Sequence, residues 1–326
     1  MNNNQVYIRI NIDNNPTHVK NWFVKLLLFT PNSMSFRNQT QNKHVSYKKE
    51  KFFHYLNKET MLEHYNITCG DMKNTVRCIN NSASNGLLIA SAILDKELYI
   101  KYEEDINKYI DELMNEIGIV AYVSDLTDDF WQNNKQVEMY DYRDKSIEGI
   151  PLKADEIFKD KMAVDVEKLP GYGEQIDNIW FGAAWKMWFG EPYYEFISKE
   201  SIEKFKDCYK NEEITDNCRC ITLYEDMYDY KNPENRERQW KFKETIDFQN
   251  VIERLRETGI NSVNDPELEI ETGNFEHGGV RLFKEYFDSE GNSVPKSKAS
   301  KMRITEHGKN GGVVWEDEQN ISLKIL

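Results

Sequence analysis

The sequence contains no long apolar run. Its longest candidates, residues 22–29 and 86–94, fall well short of the roughly 18 residues that a membrane span needs. The first residues, Met1-Asn2-Asn3-Asn4-Gln5, lack the basic start and apolar segment of a secretion signal. We therefore expect a soluble, cytoplasmic protein that does not bind membranes.

Cysteine is scarce, with five residues in 326. An odd number at this density is not a disulfide framework, so we expect reduced thiols. The closest pair, Cys218 and Cys220, is separated by one residue rather than by the two of a zinc motif. Alternating positions of a strand explain this pair better. The sequence predicts no bound metal and no cofactor.

The common catalytic motifs are also absent. The chain has no G-x-S-x-G, no G-x-x-x-x-G-K-[ST] and no H-E-x-x-H, the motifs of hydrolase nucleophiles, phosphate loops and zinc helices. Gly171-Tyr172-Gly173 lacks the third glycine of a dinucleotide fingerprint. No Glu-x-Lys occurs, which removes the simplest metal-dependent nuclease core. Unusual or permuted active sites stay open.

Charge is abundant and uneven. The formal net charge is −14, yet residues 1–58 contain nine lysines and arginines against two acids. The acidic remainder argues against a general nucleic-acid binder, which must neutralise phosphates. It favours a basic protein partner, because complementary potentials accelerate association. Solubility alone would also explain it.

Helical and strand patterns are mixed without regular βαβ alternation. Residues 5–12 alternate as a strand, residues 95–117 have an apolar helical stripe, and the tail has strand patterns at 280–287, 302–306, 313–316 and 321–326. We predict an α+β fold with a mixed, mainly antiparallel sheet, packed helices and a C-terminal β-meander. We divide it into α+β domains 1–145 and 146–326. No Gly- or Pro-rich linker marks this boundary, so one continuous unit is an alternative.

The most acidic stretch is residues 95–130, with eleven acids against three lysines. We predict that part of this stretch binds a basic partner. The candidate contact residues are Glu104, Asp111, Glu112, Glu116, Asp125, Asp128 and Asp129. A solvated helix face, or capping of a short helix by the last three, explains the pattern as well. A cation site at Asp125–Asp129 is the weaker alternative, because the glycine and alternating acids of an EF-hand are missing.

Residues 180–196 are densely aromatic. Trp185, Trp188 and Tyr193 are candidate contact residues, because aromatic side chains anchor many interfaces. A place in the core is the favoured alternative, since the segment is apolar on both faces whether read as strand or helix.

Three hypotheses about the function remain. The profile, acidic and without catalytic motifs, is loosely similar to that of bacterial immunity and phage counter-defence proteins, which bind and inhibit a macromolecule. We favour such a non-catalytic binding protein. The second hypothesis is a hydrolase of unfamiliar type that uses His277 or His307, both in glycine-rich turns, with carboxylates. The third is a structural or assembly subunit.

Overall fold

The computed structural model describes residues 5–38, 42–60, 65–80, 87–155, 158, 161–258, 268–294, 296–309 and 311–321. The chain forms two compact units, residues 1–252 and 253–326. Helices and antiparallel strands occur together, which confirms the predicted α+β class. Among the described residues, no helix combines the length and apolar character needed to cross a bilayer.

The first unit contains fourteen of the described strands. In chain order they are β1 (Gln5–Asp13), β2 (Ser33–Asn38), β3 (Asn42–Ser46), β4 (Tyr65–Gly70), β5 (Thr75–Asn80), β6 (Leu87–Asp95), β7 (Val120–Asp125), β8 (Leu152–Ala154), β9 (Met162–Val164), β10 (Glu174–Ile176), β11 (Ile179–Phe181), β12 (Lys186–Phe189), β13 (Lys210–Thr215) and β14 (Cys218–Thr222).

Five of the described helices, α1, α3, α4, α6 and α7, begin with a side chain that caps the first turn. Asn15 precedes α1 and its side chain accepts the backbone N–H of Thr17, while Pro16 occupies a first-turn position that needs no N–H donor. The helices are α1 (Pro16–Leu26), α2 (Lys49–Glu59), α3 (Lys96–Glu116), α4 (Leu126–Asn133), α5 (Glu138–Tyr142), α6 (Lys199–Lys204), α7 (Pro233–Thr245) and α8 (Phe248–Thr258), of which α8 crosses the division between the units.

Ten strands of the first unit form one antiparallel sheet in the order β13-β14-β12-β7-β1-β6-β5-β4-β2-β3. Strand β1 lies near the centre, paired with β6 and β7. Its residues alternate, and Val6, Ile8, Ile10 and Ile12 are fully buried on one face. Helices α1 and α3 pack against the sheet.

Aromatic side chains build the core around β12. Phe181 stacks on Tyr193, and Phe189 contacts Tyr193 and Phe242 of α7, with ring centroids 5.2–5.7 Å apart. The aromatic segment 180–196 therefore lies largely in the core, as the favoured interpretation of the sequence predicts.

The second unit contains the predicted C-terminal meander. Four antiparallel strands follow one another in order: β15 (Leu268–Thr272), β16 (Arg281–Phe287), β17 (Lys301–His307) and β18 (Val313–Asn320). The strand predicted at 321–326 lies outside the described residues apart from Ile321. The five cysteines are all unpaired.

The predicted domain division between residues 145 and 146 stays a prediction. The ten-stranded sheet takes β12, β13 and β14 from beyond that point, and the two compact units divide at residue 252 instead.

Candidate partner-binding surface

Helix α3 carries most of the acidic candidates, and its start is tightly held. Asp95 ends β6 and caps the helix, its carboxylate accepting the backbone N–H of Glu97 at 3.2 Å. The backbone N–H of Asp95 donates to the side-chain oxygen of Asn74 at 2.7 Å, and Lys73 lies 3.4 Å from the carboxylate. The sheet therefore sets the position of the first turn of α3.

The buried side of α3 differs from the predicted stripe at its N-terminal end. The backbone of Tyr102 is non-helical, with φ −119° and ψ 16°. Before this kink Tyr99 is buried, whereas Leu98 and Tyr102 are only partly buried. After it the predicted Ile106, Tyr109 and Leu113 are buried. The kink changes the rotational phase of the helix, so a single unbroken periodicity does not describe it.

The opposite side of α3 faces solvent, and we call it the acidic surface. It contains five exposed carboxylates and two exposed lysines: Glu97, Glu104, Asp105, Glu112, Glu116, Lys101 and Lys108. Glu104, Asp105, Glu112 and Glu116 form no ion pair within 4.0 Å with any other described residue. Ile100 lies among them with 56% of its surface exposed. Glu97, Ile100 and Asp105 were not among the sequence candidates. Ile100 lies four residues before Glu104, Glu97 lies seven before Glu104 and Asp105 lies seven before Glu112, which are spacings of one or two helical turns.

Asp111 is not part of this surface. Its carboxylate accepts the indole N–H of Trp188 at 2.7 Å, and burial raises its pKa. Asp111 is half-buried and joins α3 to β12, so its role in partner binding stays a prediction.

Asp125 and Asp128 are buried and serve the fold. Asp125 caps α4, accepting the backbone N–H groups of Thr127 and Asp128 at 2.9 Å each. Asp128 receives two hydrogen bonds from the guanidinium of Arg236 in α7, one of them 3.0 Å long. Capping, the alternative interpretation of this cluster, describes Asp125, and neither carboxylate is exposed to a basic partner.

Asp129 makes a different contact from Asp125 and Asp128. It is half-buried and accepts the hydroxyl of Tyr122 in β7 at 3.2 Å. Burial raises the pKa of Asp129 to about 7. Of the seven acidic candidates, only Glu104, Glu112 and Glu116 remain exposed.

The aromatic candidates lie inside the molecule. The indole of Trp185 donates to the carbonyl of Tyr224 at 2.7 Å, and Trp188 and Tyr193 have no exposed surface. Trp188 and Tyr193 could reach a partner only if the core opened.

The two histidine candidates lie in the second unit and do not converge. The Nδ1 atom of His277 lies 2.8 Å from the carboxylate of Glu306, which is 1% exposed and also accepts the backbone N–H groups of His277 and Gly279. The ring of His277 stacks on Trp315 at 4.4 Å. His307 follows Glu306 in β17 and therefore points to the other face of the meander. Its ring nitrogens lie near the carbonyl of Gly311 and the hydroxyl of Thr305.

The His277–Glu306 pair could not be predicted from sequence spacing, because the two residues are 29 positions apart and their approach depends on strand register. Two surface cavities, of about 250 and 500 Å³, are lined by residues between 194 and 245 and include no predicted site residue.

Comparison with known proteins gives little. No protein-family model matches the chain. No curated protein is detectably similar in sequence. Among solved structures, a T6SS protein of Pseudomonas aeruginosa is similar over 80% of this chain and 91% of its own, at 8% identity and a TM-score of 0.41. A similarity this low supports no inference about function.

Proposed function

We propose that the protein is a non-catalytic binding protein that captures a basic protein partner through the acidic surface of α3. In this role it sequesters or inhibits the partner in the cytoplasm, as immunity and phage counter-defence proteins do. The observation that carries the proposal is the set of exposed carboxylates without ion pairs among the described residues.

The composition of this surface supports a protein partner. Rows of carboxylates attract basic surfaces over about a Debye length, which is roughly 10 Å at 0.1 M salt, and so increase the association rate. Ile100 adds an exposed apolar side chain beside Glu97 and Glu104. An apolar contact surrounded by charged groups is a common arrangement in protein interfaces.

The rigidity of α3 also supports the proposal. Its start is held by Asn74 and Lys73, and its middle by the bond from Trp188 to Asp111. A preorganised helix loses little conformational entropy on binding, so more of the interaction energy contributes to affinity.

The test reverses charge on this surface alone. A variant with Glu104→Lys, Glu112→Lys and Glu116→Lys leaves Asp111 and its bond to Trp188 intact. The matched control changes three exposed acids elsewhere in the first unit, Asp141→Lys, Glu148→Lys and Glu195→Lys, and alters net charge equally. Circular dichroism and thermal unfolding check the fold of both variants.

Proteins that bind the wild type are captured from a lysate of the native host. The association rate of each variant is then measured with the captured protein that is most enriched. We expect the α3 variant to associate at least tenfold more slowly at low salt, and the control to behave like wild type. Ile100→Ala should instead accelerate dissociation. Equal losses in both triple variants would mean that only net charge matters, and the proposal would fail.

The His277–Glu306 pair is the observation that favours the second candidate, a hydrolase. A buried carboxylate that orients an imidazole is the arrangement of many general bases, and part of the His277 side chain is exposed. If His277 activates water, His277→Asn abolishes hydrolysis of generic ester and phosphoester substrates, whereas His307→Asn does not. If the wild type hydrolyses none of these substrates, or if His277→Asn hydrolyses them as fast as the wild type, the protein is not such a hydrolase.

A further inference from the structure

Helices α3, α1 and α2 form one layer on the large sheet, with α1 in the middle. Trp22 of α1 packs against Tyr109 of α3, with ring centroids 6.3 Å apart, and Phe23 of α1 packs against Phe52 of α2 at 5.0 Å. Below them, α1 contacts β5 and β6, and α2 contacts β2 and β4. The outer side of this layer faces solvent, and we call it the helical face.

The part of the helical face formed by α2 is basic. Residues 16–58 contain eight lysines and arginines against one acid. On α2 the exposed Lys51, His54 and Lys58 recur at spacings of three and four residues, so they lie on one side of the helix. The opposite side holds the buried Phe52 and Leu56. Neither of these two lysines forms an ion pair within 4.0 Å with a described residue.

The part formed by α3 is acidic and lies on the other side of α1. Glu112 and Glu116 follow Tyr109 by three and seven residues, so they are on the side of α3 that contacts α1. Burial raises the pKa of Tyr109, and the charges of Glu112 and Glu116 raise it further, in keeping with carboxylates close to this ring. The helical face therefore carries opposite charges on its two sides.

The middle of the helical face has an exposed apolar side chain. Val24 of α1 is 54% exposed, whereas Trp22, Phe23 and Leu26 of the same helix are buried. It lies between the basic side and the acidic side. An apolar centre with charged surroundings is the usual composition of a protein interface.

We propose that the helical face binds a second copy of this chain, about a two-fold axis that runs along α1 in the plane of contact. Such an axis places α1 against the α1 of the second copy and each α3 against the α2 of the other copy. The acids of each copy then meet the lysines of the other, and this contact occurs twice. The occupant follows from the charges, because the complement that the helical face requires is the helical face itself.

The net charge of −14 does not prevent this contact. Residues 16–58 and 96–116, which contain the helical face, together carry a net charge of +3. Charges elsewhere are screened over about 8 Å at physiological ionic strength. Lys20, one turn before Val24, also lies on the middle helix, but its long flexible side chain can turn towards the acids of α3.

The size of the helical face predicts a weak dimer. The three helices have 11, 11 and 21 residues. At about 1.5 Å per residue and about 10 Å in width, they cover roughly 600 Å² on each copy. The total of roughly 1,200 Å² is at the lower end for specific interfaces.

This inference does not rest on the proposed function. The second copy covers the acidic surface of α3, so a basic partner would have to displace it. The tests use purified protein alone, and their failure would leave the capture of a basic partner untouched.

Sedimentation velocity tests the association itself. From about 1 to about 300 μM at low salt, the protein should show a monomer–dimer equilibrium that shifts to monomer as salt rises. Lys51→Glu with Lys58→Glu, and Glu104→Lys with Glu112→Lys, change exposed side chains and should each give a folded monomer by circular dichroism. A wild type that is monomeric throughout would overturn the interface, as would variants that dimerise as well as wild type.

Mixing the two variants tests whether α2 meets α3. The first variant has acids on both helices and the second has lysines on both, so an equimolar mixture should form a heterodimer with both contacts restored. The chain with all four substitutions keeps the wild-type net charge and should dimerise again. If neither dimer forms, α2 and α3 are not opposite each other and the arrangement is wrong.

Val24→Cys tests the position of the axis, because a residue on a two-fold axis meets its own copy. The background is Cys208→Ser, since the other four native thiols are buried. Oxidation should link Val24→Cys into a disulfide dimer, whereas Ser146→Cys, at an exposed position away from the helical face, should stay monomeric. Equal linking of both variants would contradict the two-fold arrangement.

Discussion

The indole nitrogen of Trp188 and the carboxylate of Asp111 form a 2.7 Å hydrogen bond that joins β12 to α3. The indole is completely buried, so this carboxylate is its only acceptor among the described residues. The bond explains why Asp111 is held against the sheet, although most other acidic residues of α3 face solvent.

Removing the acceptor should destabilise the first unit. Asp111→Ala leaves a buried N–H without a partner, and we expect a loss of about 1–3 kcal/mol in the free energy of unfolding. Asp111→Asn retains an acceptor oxygen and should cost less. Glu112→Ala, at the exposed neighbouring position, should stay within about 0.5 kcal/mol of wild type. Urea unfolding measures all three, and an equal loss for Ala and Asn would show that the bond contributes little.

Ile106 and Lys108 test which side of α3 is buried. Ile106 is 2% exposed, and Ile106→Asp places an unpaired charge in the core. We expect a loss of several kcal/mol, large enough to prevent recovery of folded protein. Lys108→Glu changes an exposed residue and should fold normally. Similar yields for both variants would contradict the packing of α3.

Asp129 should make stability depend on pH. Burial raises its folded-state pKa to about 7, above the unfolded value of about 3.9. The folded state therefore holds the extra proton, and the stabilisation present below pH 4 is lost as the pH rises from about 4 to about 7. The effect is at most on the order of 4 kcal/mol, at 1.36 kcal/mol per pKa unit.

Asp129→Asn removes this titration and keeps a side chain that can bond to Tyr122. Between pH 4.5 and pH 7.5, the free energy of unfolding should fall less steeply in the variant than in wild type. Identical slopes would show that Asp129 is ionised throughout.

Lys243 should make stability depend on pH in the opposite direction to Asp129. It is 3% exposed, donates to the carbonyl of Leu169 at 3.1 Å, and lies 4.8–5.4 Å from the ring centroids of Phe248, Trp240 and Tyr172. Burial lowers its pKa to about 7, whereas the unfolded value is about 10.4. The unfolded state binds the extra proton between these values, so stability falls as the pH is lowered from 10.4 towards 7.

Lys243→Met should remove this dependence. We expect wild type to gain up to about 2 kcal/mol between pH 7 and 8.5 relative to the variant. The five thiols, whose unfolded-state pKa is about 8.5, begin to titrate in this range, but they are present in both proteins and cancel in the comparison. A gain of equal size in Lys243→Met would mean that another group titrates.

Local patterns were sufficient for much of the fold. The alternation of residues 5–12 corresponds to β1, the Asn-Pro-Glu sequence at 232–234 to the start of α7, and the tail patterns to the meander. These signals depend on neighbours in the chain, so they can be read without knowing what packs against them. The helix α3 was also predicted, except for the kink at Tyr102, which has no proline or glycine to mark it.

The sequence by itself determined the α+β class, the aromatic core segment and the presence of an acidic helix. Only the tertiary structure decided which acids are exposed. Asp111, Asp128 and Asp129 have the same side chain as many solvated residues. Trp188 and Arg236 reach the first two from distant parts of the chain, and Tyr122 reaches Asp129 from the strand before its helix. Tertiary structure also decided the position of Glu306 beneath His277 and of α1 between α2 and α3. Periodicity is a local property, whereas the exposure and pairing of a charge depend on strand register and packing between residues far apart in sequence.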